Sequence, residues 1–244
     1  MDPQEDARAM RLKPKDAKDR LIVGLDLPSV AEAKAAVAET RGMVGAYKIG
    51  LELIYAGGLD LARRLADDGE TVFLDAKLLD IDNTVANAVR SILSTGAAML
   101  TLHAYPKAIA AAAEAARDRD LMILGVTVLT SMDDGDLIEA GYATGVRELV
   151  AHRAEKAVAA GADGLVCSAL EVADLRTRLG DDVVLVTPGI RPAGAATGDQ
   201  KRVMTPADAI RAGSDYLVVA RPVIIADDRR RAAETIVEEI ASAL

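Results

Sequence analysis

Eight apolar runs, each followed by helical patterning, recur with a regular beat between residues 21 and 244 and leave few folds open. They span Leu21 to Asp26, Met43 to Gly50, Thr71 to Lys77, Ala98 to His103, Leu121 to Leu129, Gly164 to Ser168, Val183 to Thr187 and Tyr216 to Ala220. The runs are continuously apolar rather than alternating, as strands covered on both faces must be. The intervening segments carry helix signals. Ser29 with Glu32 has capping-box spacing before Val30 to Thr40, and Thr205-Pro206 pairs an N-cap with proline at the first helical position. Further helices are expected over Leu51 to Asp68 (broken at Gly57-Gly58), Ile81 to Ser94, Pro106 to Arg119, Asp134 to Ala140, Val146 to Ala160, Ala169 to Leu179 and Asp227 to Leu244. No linker or change of composition divides residues 21–244. The pattern predicts an α/β chain forming a single (β/α)8, or TIM, barrel at about the usual size for that fold. An open doubly wound sheet is the alternative, and the lack of Gly-x-Gly-x-x-Gly after the first run counts against it.

Composition narrows the function classes. Hydrophobic residues make up 51% of the chain but aromatics only 2%, so the core must be built from Ala, Val, Leu and Ile. A net charge of −9, with no basic patch interleaved with aromatics, argues against nucleic-acid binding. The single cysteine, Cys167, allows no internal disulfide and lies in an apolar run, where it reads as a small buried hydrophobe. No apolar stretch reaches membrane-spanning length. Residues 1–20 are charged throughout, lack a secretory apolar segment and read as a flexible leader. A cytoplasmic protein is expected.

The charged groups fall at the ends of the runs. Asp75-Ala76-Lys77-Leu78-Leu79-Asp80 follows the apolar Val72-Phe73-Leu74, and on a regular strand Asp75 and Lys77 share a face. Charge at a buried strand end is costly unless paired or used. On this stretch alone, two readings stay open: a salt-bridge cluster closing the barrel, and a catalytic array. Taken in strand order, the same end carries Asp26, Lys48, Asp75 with Lys77, His103, Thr130 with Ser131, Ser168, Pro188 to Arg191, and Arg221. Solvated surface charge would scatter over both ends. In this fold the chemistry sits at the C-terminal ends of the strands, which favours the active-site reading.

The later runs offer an anion site. Gly189-Ile190-Arg191-Pro192 and Ala220-Arg221-Pro222 each combine close backbone approach with a guanidinium, and the loops after strands seven and eight are a frequent phosphate site. The small, polar stretch Ala193 to Gln200 reads as a surface linker or as a lid that supplies Gln200. His103 has no second His or Cys beside it, which disfavours zinc. Asp26, Asp75 and Asp80 could hold Mg²⁺, but the ammonium groups of Lys48 and Lys77 repel a cation and occupy the carboxylates.

These residues carry a family resemblance. Asp75-x-Lys77-x-x-Asp80-Ile81 with Lys48 one strand earlier resembles orotidine 5′-phosphate decarboxylase. So do Gly24-Leu25-Asp26, Tyr47 to Gly50, Leu129-Thr130-Ser131, Thr187 to Arg191, Asp199-Gln200 and Arg221-Pro222. Metal-dependent sugar-phosphate decarboxylases and synthases share the Asp-x-Lys-x-x-Asp motif but carry glutamate where Lys48 stands. The resemblance implies a cofactor-free decarboxylation of orotidine 5′-phosphate to uridine 5′-phosphate in pyrimidine biosynthesis. It implies that Lys77 protonates C6, that Asp75 lies beside the substrate carboxylate, and that Asp26 and Lys48 hold the ribose hydroxyls. Thr130 would bind the pyrimidine edge, Pro188 would pack on the ring, and Gln200, Arg221 and the backbone around Arg191 and Ala220 would take the phosphate. Asp80 and Thr84 would reach the partner's site in a homodimer. The chain departs from the common pattern at Asp82, at Tyr105-Pro106 and at Ala220. A non-catalytic phosphate-ligand binder is the reading from another class, and it leaves Lys77 between carboxylates without a purpose.

Overall fold

The computed structural model describes residues 13–192 and 203–244. Eight parallel strands close into a barrel in the order β1 to β8, with β8 paired back to β1. They are β1 Leu21–Gly24, β2 Ala46–Ile49, β3 Val72–Leu78, β4 Met99–His103, β5 Met122–Val126, β6 Gly164–Val166, β7 Val184–Thr187 and β8 Tyr216–Val219. Helices intervene and form the outer layer, so the single-domain (β/α)8 expectation holds. No helix among the described residues is long and apolar enough to cross a membrane.

Alternation along each strand separates two cores. Ile22, Ala46, Phe73, Met99, Met122, Leu124, Val184, Val186, Tyr216 and Val218 fill the barrel interior. Their neighbours in sequence, such as Leu21, Val23, Leu74, Leu100, Leu185 and Val219, pack outward against the helices. Every strand therefore buries both faces, which is why the runs read as continuously apolar.

Several boundaries differ from the sequence reading, mostly at the C-terminal ends of the strands. The fifth run leaves the ladder after Val126, and Val128 to Ser131 instead line a cavity. The expected helix from Leu51 passes through a π turn at Ile54–Gly58, where Gly57 has a φ of 94°. A short helix, Arg221–Ile224, follows β8 directly, and the closing helix begins at Arg229, capped by Asp228.

Of the expected leader, residues 1–12 lie outside the described residues. Residues 13–20 are packed onto the N-terminal end of the barrel. Lys13 Nζ lies 2.8 Å from Asp215 Oδ1, Arg20 Nη1 donates to the Asp215 carbonyl at 3.2 Å, and the Leu217 N–H donates to the Arg20 carbonyl at 2.8 Å. Asp215 organises this floor, because it also pairs with Arg176 and accepts from the Leu185 N–H at 2.8 Å. Its carboxylate is mostly withdrawn from water, so removing it strands two cations and a backbone donor. Asp215→Ala is expected to cost about 3 kcal/mol of stability, read as a lowered urea midpoint.

Candidate active site

Followed toward the C-terminal end, the inward-facing positions change from apolar to polar. Two residues beyond Ala46 is Lys48, two beyond Phe73 is Asp75, and two beyond Met99 is Thr101. On β1 the inward series runs from Ile22 through Gly24 to Asp26. Gly24 is needed here, because a Cβ on it would sit 2.9 Å from the Ala220 methyl and 3.1 Å from Lys48 Cε. The barrel thus ends in a polar layer resting on Phe73 and Val218.

That layer is a line of alternating charge. Lys48 Nζ donates to Asp26 Oδ1 at 2.8 Å and lies 3.5 Å from Asp75 Oδ2. Lys77 Nζ lies 2.7 and 2.8 Å from the two Asp75 oxygens. Lys48 is buried, with 7% of its surface exposed. Burial pushes its pKa down, but Asp26 and Asp75 outweigh this and the net shift is upward. For Asp75, burial pushes up, while Lys48, Lys77 and a Thr101 hydrogen bond together hold the carboxyl below its usual range. The four side chains thus hold one another in place.

The array forms one side of a cavity of about 510 Å³. Asp26, Lys48, Asp75, Lys77, Thr130, Ser131, Pro188, Gly189, Arg191, Ala220 and Arg221 all line it, together with Val126, Val166 and Cys167. The structure therefore brings together most of the residues singled out in the sequence. Gln200 and the stretch 193–202 lie outside the described residues. The Arg191 N–H donates to the Met204 carbonyl at 3.0 Å. Asp80 and Thr84 are not among the residues that line this cavity. Asp80 is exposed, accepts from the Ile81 N–H at 2.7 Å, and lines a separate groove with Leu79, Ile81, Asp82, Tyr105 and Lys107. Ser168 serves as a cap, with Oγ accepting from the Leu170 N–H. His103 is half-buried at the end of β4, and burial, Lys77 and Arg153 lower its pKa.

Comparison with known proteins agrees with this geometry. Residues 19–236 match the orotidine 5′-phosphate decarboxylase / HUMPS family. The chain belongs to that family. It is thereby an enzyme of the carboxy-lyase class. A crystal structure of orotidine 5′-phosphate decarboxylase from Lactobacillus acidophilus is 35% identical, with a TM-score of 0.80, over 90% of this chain and 98% of that one. An uncharacterised conserved protein from Geobacillus kaustophilus is 33% identical, with a TM-score of 0.76, over 90% of this chain and 99% of that one.

The departures from the decarboxylase pattern have local explanations. Pro106 opens the helix Pro106–Ala115. The Tyr105 ring lies under the Arg153 guanidinium at 5.0 Å, with Tyr142 at 5.2 Å from the same group. Arg153 in turn donates to the Thr127 carbonyl at 2.7 Å, one residue before the cavity-lining Val128. The Ala220 methyl occupies space left free by Gly24. Asp82 stands in the first turn of Asp82–Leu93, where a carboxylate suits the helix dipole.

Sequence reading missed two features. Thr101 reads as one more residue of an apolar run, although counting by two from the inward Met99 would have found it. Arg153 belongs to a helix and carries no local signal.

The charge pairing has a pH signature. Asp75, with its lowered pKa, stabilises the fold above the unfolded carboxylate value of about 3.9 and loses that contribution as pH falls toward the folded value. Lys48, with its raised pKa, contributes below about 10.4 and loses it as pH rises through the folded value. Lys48→Met removes one of the two cations that hold the Asp75 carboxyl low. The decline of urea-unfolding free energy below about pH 4 is expected to flatten, and the alkaline decline to diminish.

Proposed function

We propose that the protein converts orotidine 5′-phosphate to uridine 5′-phosphate and carbon dioxide without a cofactor, as a step of pyrimidine biosynthesis in the cytoplasm. The observation that carries this reading is the Lys77 ammonium, bonded to both oxygens of Asp75 in a cavity that Arg191 and Arg221 also line.

The substrate phosphate is assigned to Arg221, Gln200 and the backbone around Arg191 and Ala220. Its binding energy, gained far from the reacting bond, drives closure and ordering of the site. Asp26 and Lys48 take the ribose hydroxyls, Thr130 takes the pyrimidine edge, and Pro188 packs on the ring. The substrate carboxylate then faces Asp75, a repulsion relieved as carbon dioxide departs. The bond between C6 and the carboxylate breaks, its electron pair stays on C6, and Lys77 delivers the proton that becomes the C6 hydrogen. A fixed ammonium both stabilises the developing carbanion and quenches it. Lys77 regains its proton from solvent after turnover. The domain assigned to this activity is 21–244, with residues 13–20 packed beneath it.

A metal-dependent reaction on sugar phosphates is the second reading. It would need Asp26 and Asp75 as cation ligands, and the Lys48 ammonium lies 2.8 and 3.5 Å from those carboxylates. We assign Asp80 and Thr84 to the partner's site in a homodimer. The exposed apolar side chains around Asp80, with Leu79 50%, Ile81 72% and Tyr105 39% exposed, support a buried contact there.

Three measurements test the reading. Orotidine 5′-phosphate incubated with the protein and excess chelator should lose the orotate absorbance as uridine 5′-phosphate forms. Turnover of keto-sugar phosphates that stops with chelator would favour the second reading instead. Lys77→Ala should lower kcat by at least 10³-fold, of the order expected for loss of both proton donor and charge, while uridine 5′-phosphate still binds. Mixing inactive Lys77→Ala and Asp80→Asn proteins should restore activity if each site draws on both protomers, and no recovery would reject the shared site.

A further inference from the structure

The bond between β3 and β4 is irregular at one place, and the reacting groups sit there. Leu74 pairs with Leu100 and Leu78 with Leu102. Three residues of β3 (Asp75, Ala76 and Lys77) therefore stand opposite one residue of β4, Thr101. Within this bulge Lys77 has a φ of +47°. A non-glycine residue in that left-handed region is conformationally unfavourable, so something must hold it. The bulge also removes the Lys77 N–H from the regular ladder, and a backbone donor withdrawn from water needs an acceptor.

We propose that Thr101 is a positioning residue for the decarboxylation assigned above, a single hydroxyl that fixes both the Lys77 backbone and the Asp75 carboxylate. Thr101 is fully buried. Its Oγ1 accepts from the Lys77 N–H at 2.9 Å and donates to Asp75 Oδ1 at 2.9 Å. With the N–H as donor, the hydroxyl proton is committed to the carboxylate, so the direction of the chain is determined. The hydroxyl therefore sets where the Lys77 side chain starts, while Asp75 sets where its ammonium ends. Both ends of the proton donor are referred to one rigid strand of the barrel. Proton delivery to an in-plane carbanion depends on such placement, and a displacement of about 1 Å can cost about 10²-fold in rate. Threonine is suited to the place because its methyl fills the packed interior while its hydroxyl bridges. Valine keeps the shape and loses the bridge.

The inference rests on the decarboxylase reading for its kinetic arm and on geometry for its other arm. Thr101→Val is expected to lower kcat about 10²-fold while affinity for uridine 5′-phosphate stays near the wild-type value. Thr101→Ser, which keeps the hydroxyl, should recover most of the loss. In parallel, the Asp75 carboxyl is titrated by ¹³C NMR in the ligand-free proteins. The charged and titratable groups facing it are Asp26 at the end of β1, Lys48 from β2, Lys77 from its own strand and His103 from β4. None is altered in Thr101→Val, so an upward shift of the Asp75 titration reads the lost hydroxyl. If Thr101→Val does not fold, Thr101→Ala carries the same comparison.

Wild-type-like kcat in the hydroxyl-free variant, or a Ser variant as impaired as the Val variant, would overturn the proposal. So would a fall in nucleotide affinity matching the fall in kcat. A wild-type protein that fails to turn over orotidine 5′-phosphate would reject the functional reading instead. The carboxyl titration would then decide for Thr101, with an unshifted Asp75 counting against it.

Discussion

The Asp75 carboxylate, held between two ammonium groups at the mouth of a closed barrel, is the interaction on which the rest of the site depends. Its burial is tolerable only because Lys48 and Lys77 offset the lost hydration. Lys48 is tolerable in turn because Asp26 shares it. Each of the two inner members, Lys48 and Asp75, is shared between two opposite charges, so the array is held in one arrangement before substrate arrives. Such preorganisation suits the carbanion reaction proposed above.

The barrel makes the array affordable. The interior cluster below Phe73 and Val218 excludes water from beneath the charges, and the ladder holds each strand end at a fixed distance from its neighbours. Among the described strand pairs the ladder's register shifts at one point, the bulge in β3, where Lys77 departs from regular strand geometry. The opposite end of the barrel is closed by residues 13–20 around Asp215, so the two ends divide stability and chemistry as this fold commonly does.

Legibility followed the range of the interactions involved. Strand and helix order could be read because burial on both faces imprints a continuous apolar run. The charged residues Asp26, Lys48, Asp75 and Lys77 could be read because each interrupts such a run at its end. Thr101 escaped notice because a buried hydroxyl differs little from a methyl in an apolar pattern. Arg153 escaped because its partners, Tyr105, Tyr142 and the Thr127 carbonyl, come from separate segments. The expectation that Asp75 and Lys77 simply alternate on a regular strand gave the correct neighbours by a different route, since the bulge intervenes between them.

The sequence by itself determined the alternation of strands and helices and the end at which polar groups collect. These follow from periodicity, which is local. Tertiary structure alone decided that residues 13–20 belong to the barrel floor and that Thr101 bridges Asp75 and Lys77. Those outcomes depend on register between strands and on the pairing of groups distant in the chain, and no short-range pattern encodes either.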